Sequence, residues 1–176
     1  MKVALVYTST TPELIELVER EVRAKLCGET EIISMQDPSI LAEVREVGYV
    51  TPTAAARLMG MYTQAVAQGA EAILNICSSV GEVADAFQPA AAYIGVPVVR
   101  VDEEMCREAV RTGLRVGVLA TLPTTLEPTK GTIRRVARAM GKHVELVDGL
   151  VDAFGMNQTQ FRQLLIGAAK EICDRV

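Results

Sequence analysis

Runs of apolar residues no longer than a β-strand alternate along this chain with longer segments that are apolar only at helical spacing. No other feature limits the possible folds as much. Residues 3–7 read as a buried strand. In residues 12–26, Leu14, Val18, Val22 and Leu26 fall four apart on one helical face, and Gly28 stops the helix. Residues 31–35 form a second strand, and Asp37-Pro38 opens a short helix to Val47. Thr51-Pro52 starts a longer helix with proline suited to its first turn. Its apolar stripe is Ala55, Leu58, Met59, Tyr62 and Val66, and Gly69 ends it. The order then runs strand 72–76, helix 82–92, strand 97–101, helix 103–111 and strand 114–120. A helix to Met140 stopped by Gly141, strand 143–147 and helix 157–173 complete it.

Strands that alternate with helices predict the α/β class, with mainly parallel sheets and right-handed crossovers that put helices on both faces. A strand–loop–helix pattern restarts near residues 95–101, which marks a domain boundary. A chain of 176 residues suffices for two small lobes and buries on the order of 70% of its unfolded surface. Hydrophobic residues make up 49%, as a core of buried strands requires. The net charge is −4 and the 18 Lys and Arg are scattered, which argues against a nucleic-acid partner. Aromatic residues are 4% and Trp is absent, so base-stacking surfaces and flavin platforms are poorly supplied. No apolar run approaches the roughly 18 residues of a membrane span, so no membrane partner is expected. Residues 1–7 read as a strand rather than a signal peptide.

Cys27, Cys77, Cys106 and Cys173 form no C-x-x-C pair, and the one histidine, His143, is remote from all four. Zinc spacing is therefore missing, and reduced thiols in the cytoplasm are expected. A single distant histidine also leaves no Ser-His-Asp arrangement. Gly113 and Gly117 make no phosphate-binding glycine loop.

Ligands of open parallel sheets bind where strands end and helices begin. Three such junctions carry a hydroxyl residue followed three positions later by glutamate: Thr10 and Glu13, Ser79 and Glu82, Thr124 and Glu127. That is the capping-box pattern of a helix N-terminus. One box alone is ordinary helix punctuation. Three at alternate strand ends offer hydroxyls and free backbone N–H groups to a small carboxylate. Cys77 lies two residues before Ser79, and a helix N-terminus favours negative charge on a thiol. Position alone equally allows a buried, inert cysteine. Cys27, Cys106, Cys173 and His143 read as structural.

The loop containing Ser9, the segment Asn75-Ile76-Cys77-Ser78-Ser79, and the run Val116-Gly117-Val118-Leu119-Ala120-Thr121-Leu122-Pro123-Thr124-Thr125 resemble the Asp/Glu/hydantoin racemase superfamily. The resemblance extends to the order of elements along essentially the whole chain. It implies two similar α/β lobes, residues 1–97 and 98–176, with mainly parallel sheets flanked by helices and an active-site cleft between the lobes. It also implies isomerase chemistry that needs no metal and no other cofactor. Cys77 becomes the catalytic thiol of the first lobe. Ser9, Asn75, Ser78, Ser79, Thr121 and Thr124 become contacts to a substrate carboxylate or oxyanion. In glutamate racemases of this family Asn-Thr follows the thiol, whereas Ser78-Ser79 follow it here, which favours a hydantoin over glutamate.

Two-base members carry a second thiol after a further strand, and this sequence ends at Cys173-Asp174-Arg175-Val176. The second lobe is therefore expected to be incomplete. The sheet edge and apolar surface left exposed by such a lobe favour a homo-oligomer. Alternative readings are a relative resembling arylmalonate decarboxylase or maleate isomerase, a non-catalytic carboxylate-binding domain, and a flavodoxin-like electron carrier. In the last, residues 8–11 would hold a flavin phosphate.

Overall fold

A computed structural model of the chain describes residues 1–26, 28–151, 153 and 156–176, with Gln158 described by its backbone alone. The chain divides into two compact units, Met1–Val101 and Asp102–Val176. Cys27, expected to be structural, lies outside the described residues.

The first unit contains β1 (Lys2–Tyr7), α1 (Pro12–Lys25), β2 (Glu31–Gln36), α2 (Pro38–Val47), α3 (Pro52–Ala67), β3 (Ala72–Ile76), α4 (Gly81–Ile94) and β4 (Val98–Arg100). Its sheet has the order β2-β1-β3-β4, with every pair parallel. Side chains alternate across a strand, so β1 supplies both faces. Val3, Leu5 and Tyr7 pack with Ile76 against Leu14, Ile15, Val18 and Val22 of α1. Ala4 and Val6 face the other way, in a core with Ile40, Val44, Leu58, Tyr62, Ile73, Phe87 and Val98. The same parity places Asn75 and Cys77 of the β3 end, and Arg100 of β4, on the face covered by α2, α3 and α4.

Proline sets the starts of three helices in this unit by occupying a first-turn position where its missing N–H costs nothing. Thr11, Asp37 and Thr51 are the N-caps, and their side chains accept from the backbone N–H groups of Leu14, Ser39 and Ala54. Arg57 of α3 joins the start of α2, with Nη2 2.6 Å from Asp37 Oδ2. Burial alone raises the Asp37 carboxyl, but hydrogen bonds from Ser39 and Arg57 outweigh it and hold the group below its ordinary value.

The boundary expected after residue 97 falls instead after Val101. Residues 98–100 hydrogen-bond to β3, with Val98 opposite Ile73 and Arg100 opposite Asn75. This strand therefore closes the first sheet rather than opening the second.

The second unit contains α5 (Glu103–Thr112), β5 (Arg115–Ala120), α6 (Pro123–Ala139), β6 (Glu145–Leu150) and α7 (Gln158–Cys173). Among the described residues its sheet has two parallel strands, β5 and β6. The strand expected at residues 143–147 starts two residues later and continues to Leu150. Pairing with β5 fixes its extent, from Arg115 opposite Glu145 to Ala120 opposite Leu150. The apolar run alone stops at Asp148 and understates it.

Val116 and Val118 pack with Cys106, Val110, Ile133, Val136 and Ala137 of α5 and α6. Glu103 ties these two helices, with Arg107 Nη2 at 2.6 Å and Arg135 Nη2 at 3.0 Å. Helix α7 meets the sheet through Ile172, whose side chain rests over Gly117 and Gly149.

Candidate functional site

From β1 the chain steps outward to β2, then crosses back to β3 and outward again to β4. The direction reverses between β1 and β3, and open α/β sheets bind ligands outside the carboxyl ends of strands at such a reversal. The last registered pair there is Tyr7 with Ile76. The residues that follow are Thr8 on one strand and Cys77 on the other.

Cys77 is half-buried and has extended backbone, with φ −165° and ψ 115°. It precedes a single 3-10 turn, Ser78–Val80, that leads directly into α4. Asn75 holds this turn. It is fully buried; its Nδ2 donates to the Cys77 carbonyl at 3.0 Å, and its Oδ1 accepts from the Tyr62 hydroxyl at 2.9 Å. Tyr62 is itself completely buried on α3 and packs on Phe87 at a ring distance of 5.3 Å. Burial pushes its phenol above the usual value; Cys77 and Asp85 add to the shift and Arg100 opposes it. The thiol, the guanidinium and the Asp85 carboxylate thus all act on one buried hydroxyl.

Thr8 is wholly buried, and its hydroxyl has no hydrogen-bond partner among the described residues. Buried hydroxyls are rarely left so, and this one belongs to the first residue after β1. Tyr7 has an unpartnered hydroxyl too, raised to about 12 by burial and then by Glu19, but it packs on the α1 face, opposite Cys77.

The three expected capping boxes do not form. Pro12 and Pro123 at the first turn shift the N-caps to Thr11 and Leu122, and α4 begins from Val80 because the turn Ser78–Val80 intervenes. Ser79 is buried within that turn, and Ser78 and Ser9 are partly exposed. The first unit therefore gathers Asn75, Cys77, Ser78 and Ser79 at the β3 end, with Ser9 following Thr8 at the β1 end. In the second unit Thr121 follows β5 and Thr124 lies in the first turn of α6.

Farther along α6, Lys130 is held 2.8 Å from Asp148 of β6 and 2.6 Å from Glu127. Hydrogen bonds to Asp148 and then Glu127 raise its ammonium above the usual value. A lysine so held stays protonated and serves as a structural tie rather than a base.

Sequence reading missed Tyr62 as a polar contact, Asp85 and Arg100, and it weighed Thr8 by name only for a flavin phosphate. A groove of about 580 Å³ beside the β1 loop is lined by Thr10, Thr11, Pro12, Ile15, Glu16, Glu19 and Gln36. Its two glutamates repel a carboxylate, so it is a poor match for the expected substrate. A larger one, about 650 Å³, includes Lys2, Glu31 and Glu71 at the opposite, amino ends of the strands. Among the described residues no three His, Cys, Asp or Glu side chains are grouped to hold a metal. No helix there is long and apolar enough to cross a membrane.

Fold and site together define a parallel α/β protein with a free thiol at the reversal point of its sheet. The chain belongs to the Asp/Glu/hydantoin racemase family, whose sequence model matches residues 3–176; its class is that of racemase-type isomerases. An allantoin racemase from Klebsiella pneumoniae has a similar fold, with 20% identity and a TM-score of 0.61 over 97% of this chain and 70% of that one. An allantoin racemase from Pseudomonas fluorescens aligns at 18% identity over 98% of this chain and 68% of that one, with a TM-score of 0.49. No curated protein matches the sequence.

Proposed function

We propose that this chain is a cofactor-independent racemase in which the Cys77 thiolate moves a proton at the carbon next to a carboxylate or hydantoin carbonyl. The observation that carries this reading is the place of Cys77: at the β3 end, beside the β1–β3 reversal, on a turn fixed by Asn75. Cys77, Cys106 and Cys173 are free thiols, consistent with work in a reducing cytoplasm.

In the proposed step the sulfur takes the proton and the carbon–hydrogen bond breaks. Its electron pair passes into the adjacent carbonyl, which becomes an oxyanion. Hydrogen-bond donors fixed where that charge develops lower the barrier. The Thr8 hydroxyl, the hydroxyls of Ser9, Ser78 and Ser79, and backbone N–H groups of the turn are the donors proposed for the first unit. Asn75 acts by fixing the turn, since both ends of its amide are already engaged. Thr121 and Thr124 are the hydroxyl donors proposed for the second. Return of a proton to the opposite face of the carbon inverts it. Return of a solvent-derived proton to the same face appears as isotope exchange alone.

A hydantoin-type ring is the favoured substrate. Ser78-Ser79 after the thiol and a fold like that of an allantoin racemase both support it. The test is a screen of allantoin, simple hydantoins, amino acids, maleate and an arylmalonate, followed for exchange at the acidic carbon in deuterated water and for release of carbon dioxide. Exchange is expected with a hydantoin-type substrate, and Cys77→Ser should slow it by roughly 10²–10⁴-fold. An unchanged rate in that variant overturns the assignment of the thiol. Loss of carbon dioxide from a malonate, without exchange elsewhere, moves the reading to a decarboxylase.

A further inference from the structure

Arg100 is the largest fully buried side chain described in the protein, and it carries a charge. A guanidinium removed from water is costly unless something holds it. Three features of the first unit account for its place. Its strand position is opposite Asn75, the residue that fixes the Cys77 turn. Its Nη1 lies 2.8 Å from Asp85 Oδ2 of α4. Its planar head also lies against Gly81, the first residue of α4, where a Cβ would fall 2.2 Å from Cζ. No side chain larger than hydrogen fits there without moving the guanidinium.

The ion pair is lopsided. The Arg100 side chain is 1% exposed and that of Asp85 is 25% exposed. Water screens the carboxylate better than the guanidinium, so the pair presents its positive end inward. That end lies under the first turn of α4, whose own N-terminus is positive. Both Arg100 and Cys77 act on the buried Tyr62 hydroxyl, one lowering and the other raising it, which places them in one neighbourhood.

We propose that Arg100, seated on Gly81 and tied to Asp85, is a positioning residue that supplies fixed positive charge behind the Cys77 turn and so favours an anion there. The proposal rests on Cys77 as the thiol that meets substrate. Arg100 touches no reacting atom. It acts through the turn and through its field on whatever negative charge gathers at the β3 end.

The test compares alkylation of Cys77 by iodoacetate, an anion, with alkylation by neutral iodoacetamide, followed at the Cys77 peptide by mass spectrometry. The ratio of the two rates reports the local potential, and a general loosening of the turn speeds both reagents alike. In the intact chain the ratio should exceed that of a small free thiol. Arg100→Gln should lower it by about threefold or more, the scale of one charge in partly exposed surroundings. Asp85→Asn removes one counter-charge and should raise it, while Arg100→Lys should stay near the parent. Opposite movement in the Gln and Asn variants is the expected signature. Equal ratios throughout, or movement in the same direction, overturn the proposal. Should Arg100→Gln fail to fold, a ratio that does not rise in Asp85→Asn overturns it. Expected ratios without proton exchange on any substrate would sink the racemase reading and leave the electrostatic role of Arg100 standing. Exchange with unmoved ratios would do the reverse.

Discussion

The residues that matter most at the β3 end are polar groups buried with partners. Tyr62 shows how a hydroxyl far along the sequence reaches the candidate site. Its proton goes to Asn75, and Asn75 in turn holds the Cys77 carbonyl. Tyr62→Phe keeps the ring and its contact with Phe87 but leaves Asn75 Oδ1 buried without that donor. We expect a loss of about 1–3 kcal/mol in unfolding free energy, the usual cost of stranding one buried polar atom. Denaturant titration measures it. A stability within 0.3 kcal/mol or so of the parent would mean that water or another group replaces the phenol at little cost. Cys77 was legible in the sequence as a thiol at a strand end, and Asn75 two residues earlier shares its face by strand parity. Arg100 was not legible. It lies inside the strand read at 97–101, where an arginine is ordinarily expected to keep its water.

At the scale of elements, α7 shows how a helix docks on a small sheet. Ile172 is its buried anchor, and glycines in both strands make room for it. A Cβ on Gly149 would lie 2.0 Å from Ile172 Cδ1, and one on Gly117 would lie 2.1 Å from Cγ2. Ile172→Ala should therefore cost about 2–5 kcal/mol, the range for emptying a buried isoleucine site. Gly149→Ala should also destabilise, by about 1–3 kcal/mol through overpacking. The double variant should cost clearly less than the two single losses added, because the new methyl occupies space that Ile172 vacates. Simple additivity in a denaturation cycle would show that the close approach carries no packing energy. Sequence reading placed this helix. It could not show that glycines in β5 and β6 form the seat, because a glycine inside a strand reads only as a weak point.

At the scale of the molecule, the homo-oligomer expected from sequence remains a proposal, and surface composition supports it. Among the described residues β5 and β6 each pair on one side only, and Leu114 just before β5 and Leu150 at the end of β6 are 60% and 50% exposed. Open strand edges and apolar patches favour association. Sedimentation at micromolar concentration should give a mass above that of one chain; a single-chain mass across that range removes the expectation. The sequence alone determined the order of strands and helices, the proline-led starts of α1 to α3 and the parity that puts Asn75 and Cys77 on one face. All of these are local properties, set by side-chain spacing over a few residues and by the fixed φ of proline. Tertiary structure decided that β4 closes the first sheet and how far β6 runs, because a parallel strand's partner is fixed by pairing across a long crossover. It also decided that Thr8 and Arg100 are buried. Whether a hydroxyl or a guanidinium loses its water depends on helices packed from elsewhere in the chain, and no local pattern records that.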